Sequence, residues 1–180
     1  MKIFHNFTGM RIYLVGYMAS GKSNLGQILA ERLEYAFADL DYLFEERFRI
    51  GVLDFFEKYD EKGFRQIEQT LLHESEGWDN VVIATGGGTP CFFDNMNVIR
   101  KSGISIYLRW EVRPLVARLR QVKRKRPLLK DIPADELEGK VAVQLQEREF
   151  YYRQADFIFD AENPELDNLV EWIRQKIKHA

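Results

Sequence analysis

Gly16-Tyr17-Met18-Ala19-Ser20-Gly21-Lys22-Ser23 has the form Gly-x-x-x-x-Gly-Lys-Ser, and the apolar run Arg11-Ile12-Tyr13-Leu14-Val15 leads straight into it. A buried strand, a glycine-bearing loop and then a helix is the context in which this pattern makes a phosphate loop. The glycines remove Cβ atoms that would block a phosphate, and the backbone N–H groups turn inward around it. Lys22 supplies a point charge to the β- and γ-phosphates, and Ser23 offers a hydroxyl to Mg²⁺. Over 24–33, the side chains Leu25, Ile28, Leu29 and Leu33 share one face of a helix whose positive end points at the nucleotide.

Outward from this loop, apolar stretches at 35–38, 81–85, 104–108 and 157–159 alternate with helical patterns. With the first strand, that alternation predicts an α/β fold with a parallel sheet covered by helices on both faces. Between the second and third strands lie helical patterns at about 42–49, 53–59 and 63–76, broken near Gly51 and Gly63. That connection is too long for a simple crossover, so an inserted subdomain over about 41–77 is expected, where a second substrate docks. Helices over 112–122 and 136–153 flank a loop marked by Pro127 and Pro133. An amphipathic helix over 166–177 closes a core expected to run from about 11 to 178.

A chain of 180 residues, 46% hydrophobic and 30% charged, is expected to form one globular domain. Its net charge of −2 argues against dedicated nucleic-acid or membrane-surface binding. The single cysteine, Cys91, excludes an intrachain disulfide, and no apolar run is long enough for a membrane span. The opening MKIFHNFTGM lacks the long apolar region of a secretory signal, so a cytoplasmic location is expected, with residues 1–9 adding little to the fold.

Asp39-Leu40-Asp41 follows the second strand at the edge where open α/β sheets bind ligands. In extended chain, residues i and i+2 point the same way, so both carboxylates would face the site, one beside hydrated Mg²⁺ and one on an acceptor hydroxyl. The alternative is a helix N-cap, since Asp41 precedes a helical run. Thr85-Gly86-Gly87-Gly88-Thr89 ends the strand at 81–85, where many phosphate-loop proteins carry a metal-binding acid and this chain has none. Its glycines either bare backbone N–H groups to a small ligand or make a flexible turn. In Gly63-Phe64-Arg65-Gln66-Ile67-Glu68, the planar fork of Arg65 suits a carboxylate or phosphate, and Glu68 lies on the same helix face. Spacing alone favours a plain surface pair there.

Gln121-Val122-Lys123-Arg124-Lys125-Arg126-Pro127 is a short basic stretch without interleaved aromatics. A lid over about 121–135 is expected rather than a nucleic-acid patch, with Arg126 closing over the ATP phosphates and Lys123, Arg124 and Lys125 forming a solvated face. Arg148, within Glu147-Arg148-Glu149-Phe150-Tyr151-Tyr152, either reaches the same anion as Arg65 or pairs with its Glu and Tyr neighbours.

Taken in order, GYMASGKS, FADLD, GFRQIE, ATGGGT, KRPLL and ERxxxY followed by Ala155-Asp156 resemble the shikimate kinases over about residues 11–160. The resemblance implies a three-layer α/β/α P-loop fold like that of the nucleoside monophosphate kinases, with a five-stranded parallel sheet. It implies ATP-dependent phosphorylation of the 3-hydroxyl of shikimate in aromatic amino-acid biosynthesis. Carried over by motif position, ATP would meet Ala19, Ser20, Gly21, Lys22, Ser23, Asn24 and Arg126. Ser23, and Asp39 through water, would hold Mg²⁺. Lys22 and Asp41 would be catalytic, with Asp41 engaging the shikimate hydroxyls as base or orienting group. Arg65 and Arg148 would grip the carboxylate, and Gly86, Gly87 and Gly88 would line the pocket, which overrides the surface reading of Arg65. A monomer with no nucleic-acid or membrane partner is expected.

The chain departs from the family in two places: Asp60-Glu61-Lys62-Gly63 stands where Gly-Glu often precedes the Phe-Arg pair, and Glu149-Phe150-Tyr151-Tyr152 stands where Pro-Leu-Tyr often follows the arginine. Rival readings are a gluconate or nucleoside monophosphate kinase, a GTPase-like switch suggested by the D-x-x-G match at Asp60, and an ATP-binding module without catalysis. Two arginines and three glycines suit a small carboxylated polyol better than a base, and no Asn-Lys-x-Asp segment accompanies the D-x-x-G.

Overall fold

The computed structural model describes residues 9–121 and 132–179. Five strands, β1 (Arg11–Val15), β2 (Ala36–Asp39), β3 (Val81–Ala84), β4 (Ile104–Arg109) and β5 (Phe157–Asp160), form one parallel sheet in the order β2-β3-β1-β4-β5. The helices are α1 (Lys22–Leu33), α2 (Leu40–Phe48), α3 (Val52–Lys58), α4 (Glu61–Ser75), α5 (Asn95–Ser102), α6 (Val112–Gln121), α7 (Leu137–Tyr152) and α8 (Leu166–Lys178).

The central strand shows why the layers form. Ile12, Tyr13, Leu14 and Val15 are all fully buried, and their two-residue period divides them between the faces of the sheet. Ile12 and Leu14 join Val82, Ile106 and Leu108 against α1 and α8 through Leu29, Leu169 and Ile173. Tyr13 and Val15 join Ile83 and Tyr107 against the other helical layer through Leu71, Ile99, Leu115 and Leu145. Each such aliphatic side chain stabilises the fold by about 1.5–3 kcal/mol relative to exposure. The Tyr13 hydroxyl meets Ser75 Oγ at 3.0 Å, so its buried polar tip is satisfied.

Between the neighbouring strands β2 and β3, helices α2 to α4 build a small aromatic core. The rings of Phe44 and Phe64 lie 5.1 Å apart and those of Phe44 and Phe55 5.3 Å apart. Asp60 caps α4, its Oδ1 accepting the Gly63 N–H at 2.7 Å. The D-x-x-G match at this point is therefore a helix cap, as Asp favours.

One local expectation needs correction. Helix α1 begins at Lys22, two residues before 24, because the end of the phosphate loop is its first turn. Helix α5 and the 3₁₀ turn Thr89–Cys91 were not anticipated from the sequence: α5 is eight residues long, too short for an apolar period to stand out. Residues 122–131, with Arg126 and most of the expected lid, lie outside the described residues.

Register aligns Asp39 and Leu14 with Ala84. The loops that follow β1, β2 and β3 thus leave the sheet at one carboxyl edge, where the strand order reverses and open α/β sheets take their ligands.

Candidate active site

The phosphate loop closes over the carboxyl end of β1. Gly16 and Gly21 adopt φ of +142° and +96°, and Ala19 adopts +61° without the freedom of a glycine. Lys22 reaches back over the loop, its Nζ donating to the carbonyls of Gly16 and Tyr17 at 2.8 Å each. Its charge is thereby held near the loop mouth by local acceptors. Helix α1 starts with no side-chain cap, so its first-turn amides suit an anion. On the outer side, Trp110 Nε1 donates to Ser20 O and Arg118 Nε to Ala19 O, both at 2.9 Å.

Ala19, Gly21, Lys22, Ser23 and Asn24 line one cleft with Asp39, Asp41, Thr85, Gly87 and Arg118. Ser20 does not line it. Its side chain is buried behind the loop and its N–H closes a turn on Tyr17 O at 3.2 Å. Arg118, whose guanidinium stacks 4.6 Å from the Trp110 ring, was missed by sequence reasoning. It belongs to α6 and to no motif, and the only signal was its place on a basic helix just before the expected lid.

Asp39 ends β2 and is the N-cap of α2. Its Oδ1 accepts the N–H groups of Asp41 at 3.0 Å and Tyr42 at 3.3 Å, and its Oδ2 accepts the Ser23 hydroxyl at 2.5 Å. Asp41 sits in the first turn of α2. The expectation of two carboxylates side by side on extended chain is thus corrected, and the capping residue is Asp39, not Asp41. Both still reach the cleft wall, because the strand-to-helix turn lies at its rim. Ser23 and Asp39 offer only oxygen, and no cluster of three or more His, Cys, Asp or Glu among the described residues forms a metal cage. That donor set fits a hydrated Mg²⁺ carried mainly by nucleotide phosphates.

A second cleft adjoins the first, sharing Met18, Asp41 and Gly87 with it. Arg65 and Glu68 of α4, Gly86 and Gly88, Arg148 of α7 and the apolar side chains Val52, Phe56 and Phe64 complete its wall. Arg65 is only 5% exposed, so the surface-pair reading fails. Its Nη1 donates to Glu68 Oε2 at 2.8 Å, its Nη2 to Glu61 Oε1 at 2.9 Å, and its guanidinium lies 4.2 Å from the Phe92 ring centroid. Burial works against the Arg65 charge, but the carboxylates of Glu68 and Glu61 outweigh it and lift its pKa. Burial also lifts the Glu68 carboxyl, with Arg65 and the Thr89 hydroxyl at 2.6 Å opposing it.

The glycine triplet explains how so large a pair fits. A Cβ on Gly86 would lie 2.3 Å from Glu68 Oε1, and one on Gly88 2.5 Å from Arg65 Nη1. The triplet therefore makes room for the ion pair as well as baring backbone at the cleft.

Arg148 lies over the Tyr17 ring, 5.3 Å from its centroid, and within hydrogen-bonding reach of Tyr152. The buried Tyr152 hydroxyl donates to Gly87 O, joining α7 to the glycine loop. Cys91 is half-buried, and burial pushes its thiol up to about 11, so it stays protonated.

The family model for shikimate kinase matches residues 18–178, beginning later than the motifs and running past Asp160, where their resemblance stops, to include α8. A shikimate kinase of Azobacteroides pseudotrichonymphae is 40% identical over 168 residues, covering 93% of this chain and 99% of that one. The crystal structure of a Bacteroides thetaiotaomicron shikimate kinase superposes with a TM-score of 0.81 at 40% identity, over 94% of this chain and 97% of its own. An Acinetobacter baumannii shikimate kinase in complex with shikimate gives the same TM-score of 0.81 at 33% identity, over 96% of this chain and 94% of its own.

Proposed function

The chain belongs to the shikimate kinase family, and on that premise we propose how its residues divide the transfer of the ATP γ-phosphoryl group to the 3-hydroxyl of shikimate. The observation behind the division is that Asp41 lines both clefts, one with Lys22 and the other with Arg65 and Arg148. An acid held by the two arginines presents its hydroxyl toward Asp41, and a nucleotide on the phosphate loop presents its terminal phosphate from the other side.

Asp41 accepts the hydrogen bond of the hydroxyl and takes its proton as the new oxygen–phosphorus bond forms and the bond to the β-phosphate oxygen breaks. Lys22 stabilises the charge shed onto ADP, its ammonium being held at the loop by the Gly16 and Tyr17 carbonyls. Ser23 and, through water, Asp39 would hold Mg²⁺, which when bound spreads the phosphate charge. Gly86, Gly87 and Gly88 line the acceptor side. Arg118 stands beside the nucleotide cleft, whereas a nucleotide role for Arg126 rests on the motif KRPLL alone. We take α2 to α4 as the acceptor-binding insertion. We also take the protein to act as a cytoplasmic monomer; its net charge of −2 argues against a dedicated nucleic-acid or membrane-surface partner.

The substrate assignment is tested at Arg65. Arg65→Lys keeps the charge but loses the planar fork, and a lost charge-assisted hydrogen bond of about 1.5–3 kcal/mol corresponds to an acceptor KM raised about ten- to a hundredfold, with ATP binding unmoved. Calorimetry with shikimate and with its carboxamide should show mutation and amide each weakening binding, with a less than additive loss together. Additive losses, or an amide that binds as well as the acid, would remove the carboxylate from Arg65.

A further inference from the structure

Tyr17 is the second residue of the phosphate loop, yet it lines neither cleft. It is 1% exposed and points toward α7. Its hydroxyl donates to Gln144 Oε1 at 2.6 Å, and the Arg148 guanidinium, one helical turn further along, lies over its ring. Gln144 and Arg148 are spaced i, i+4 and so share a helix face. The ring supports the arginine through its negative π face, and the hydroxyl fixes the rotation of the ring. Burial pushes the Tyr17 hydroxyl up to about 12, with Arg148 opposing, so it stays a donor at every working pH.

Of the other groups near Arg148, Glu149 has its partners elsewhere, whereas the Tyr152 hydroxyl oxygen stays within reach of the guanidinium as a second support. Glu149 accepts from Arg153 at 3.2 Å and from the Tyr107 hydroxyl at 3.3 Å, and Tyr152 donates to Gly87 O. The backbone of Tyr17 is meanwhile part of the nucleotide loop: its carbonyl accepts from Lys22 Nζ at 2.8 Å and from the Ser20 N–H at 3.2 Å. One residue therefore has its main chain fastened to the phosphate-binding lysine and its side chain fastened to the helix that carries Arg148.

We propose that Tyr17 is a positioning residue that holds the Arg148 guanidinium at the acceptor pocket and transmits nucleotide occupancy of the loop to acceptor affinity. The proposal rests on the reading of Arg148 as a ligand of the acceptor carboxylate. Any shift of the loop around a phosphate moves the Tyr17 peptide, and the tether carries that shift to Arg148. Coupling between two sites of this kind is reciprocal and is read as a change in one ligand's affinity when the other is bound.

The test uses the full chain, titrated calorimetrically with shikimate in the presence and absence of ADP and assayed for steady-state constants. Tyr17→Phe removes only the hydroxyl, and Gln144→Leu removes its acceptor from a helix outside the loop. Each should raise the shikimate Kd and KM about three- to tenfold, the range for one lost hydrogen bond. The Kd of ADP in the absence of shikimate should hold, kcat at saturating shikimate should fall by less than KM rises, and the double variant should be no worse than either single one. The effect of ADP on shikimate affinity should shrink in each. Arg148→Lys in the same series separates the two claims. If it leaves shikimate binding intact, the reading of Arg148 is wrong. If it weakens shikimate while Tyr17→Phe and Gln144→Leu do not, or if those two raise the Kd of ADP alone as much as that of shikimate, the tether is overturned and the reading of Arg148 stands.

Discussion

The two halves of the cleft hold their cations in opposite ways. Lys22 is fixed by carbonyls of its own loop, five and six residues before it, whereas Arg65 is fixed by carboxylates within its helix, by the ring of Phe92 and by space left at Gly88. The first arrangement is complete within one short segment. The second is assembled from α4, the glycine loop and the segment after it, and fails if any one is misplaced. An ammonium needs only acceptors and a mouth to point through, while a guanidinium that recognises a carboxylate by its planar fork must have its plane fixed, which takes partners on several sides.

If this contrast is right, the largest effect belongs to the nucleotide side and falls on turnover alone. Lys22→Ala should cut the rate at saturating substrates by about 10²–10³-fold or more while cooperative thermal unfolding is retained. Lys22→Met, with similar bulk, checks that the loss is one of charge. Retained turnover in both would break the comparison at its nucleotide end.

On the acceptor side the expected cost is to the fold. Glu68→Ala leaves Arg65 buried without its nearest carboxylate and should lower stability by about 3–5 kcal/mol in chemical denaturation, with Glu68→Gln costing much less. The pH dependence follows from the raised Glu68 carboxyl. The folded state binds this proton more readily than the unfolded one, so the contribution is fully present below the ordinary carboxyl value of 4.5 and is lost as pH rises through the folded value. Glu68→Gln should flatten that slope, and an unchanged slope would show that the carboxylate is not desolvated in the pair.

The smallest effect sharpens the nucleotide side. Ala19 sits at φ +61°, a left-handed conformation that costs a non-glycine residue about 1–2 kcal/mol. Because glycine carries its own entropic cost, Ala19→Gly should raise stability by a net of about 0.5–1 kcal/mol, visible as about 2–3 °C in the melting midpoint. No gain would mean that the Arg118 contact to Ala19 O, rather than the residue type, sets the loop conformation there.

Five strands, the phosphate loop and the helices between β2 and β3 were legible in the sequence because each rests on local signals: an apolar run of period two or a glycine pattern between strand and helix. Asp39 shows where local reasoning reached the right place for the wrong reason. Both carboxylates line the cleft, but the chain turns helical at Leu40, and Asp39 caps that helix while also receiving Ser23. Helix α5 was hidden by its brevity, and Arg118 by the lack of any motif around it.

By itself, the sequence determined the sheet with helices on both faces and the loop that binds phosphate, since hydrophobic period and glycine position act within a few residues of chain. Only the tertiary structure decided that Arg65 is a buried, oriented fork, that the glycine triplet leaves room for it, and that Tyr17 turns from its own loop to Arg148. Those facts depend on segments 21 to 127 residues apart meeting at one edge of the sheet, and burial, which sets the strength of every charge there, exists only once they have met.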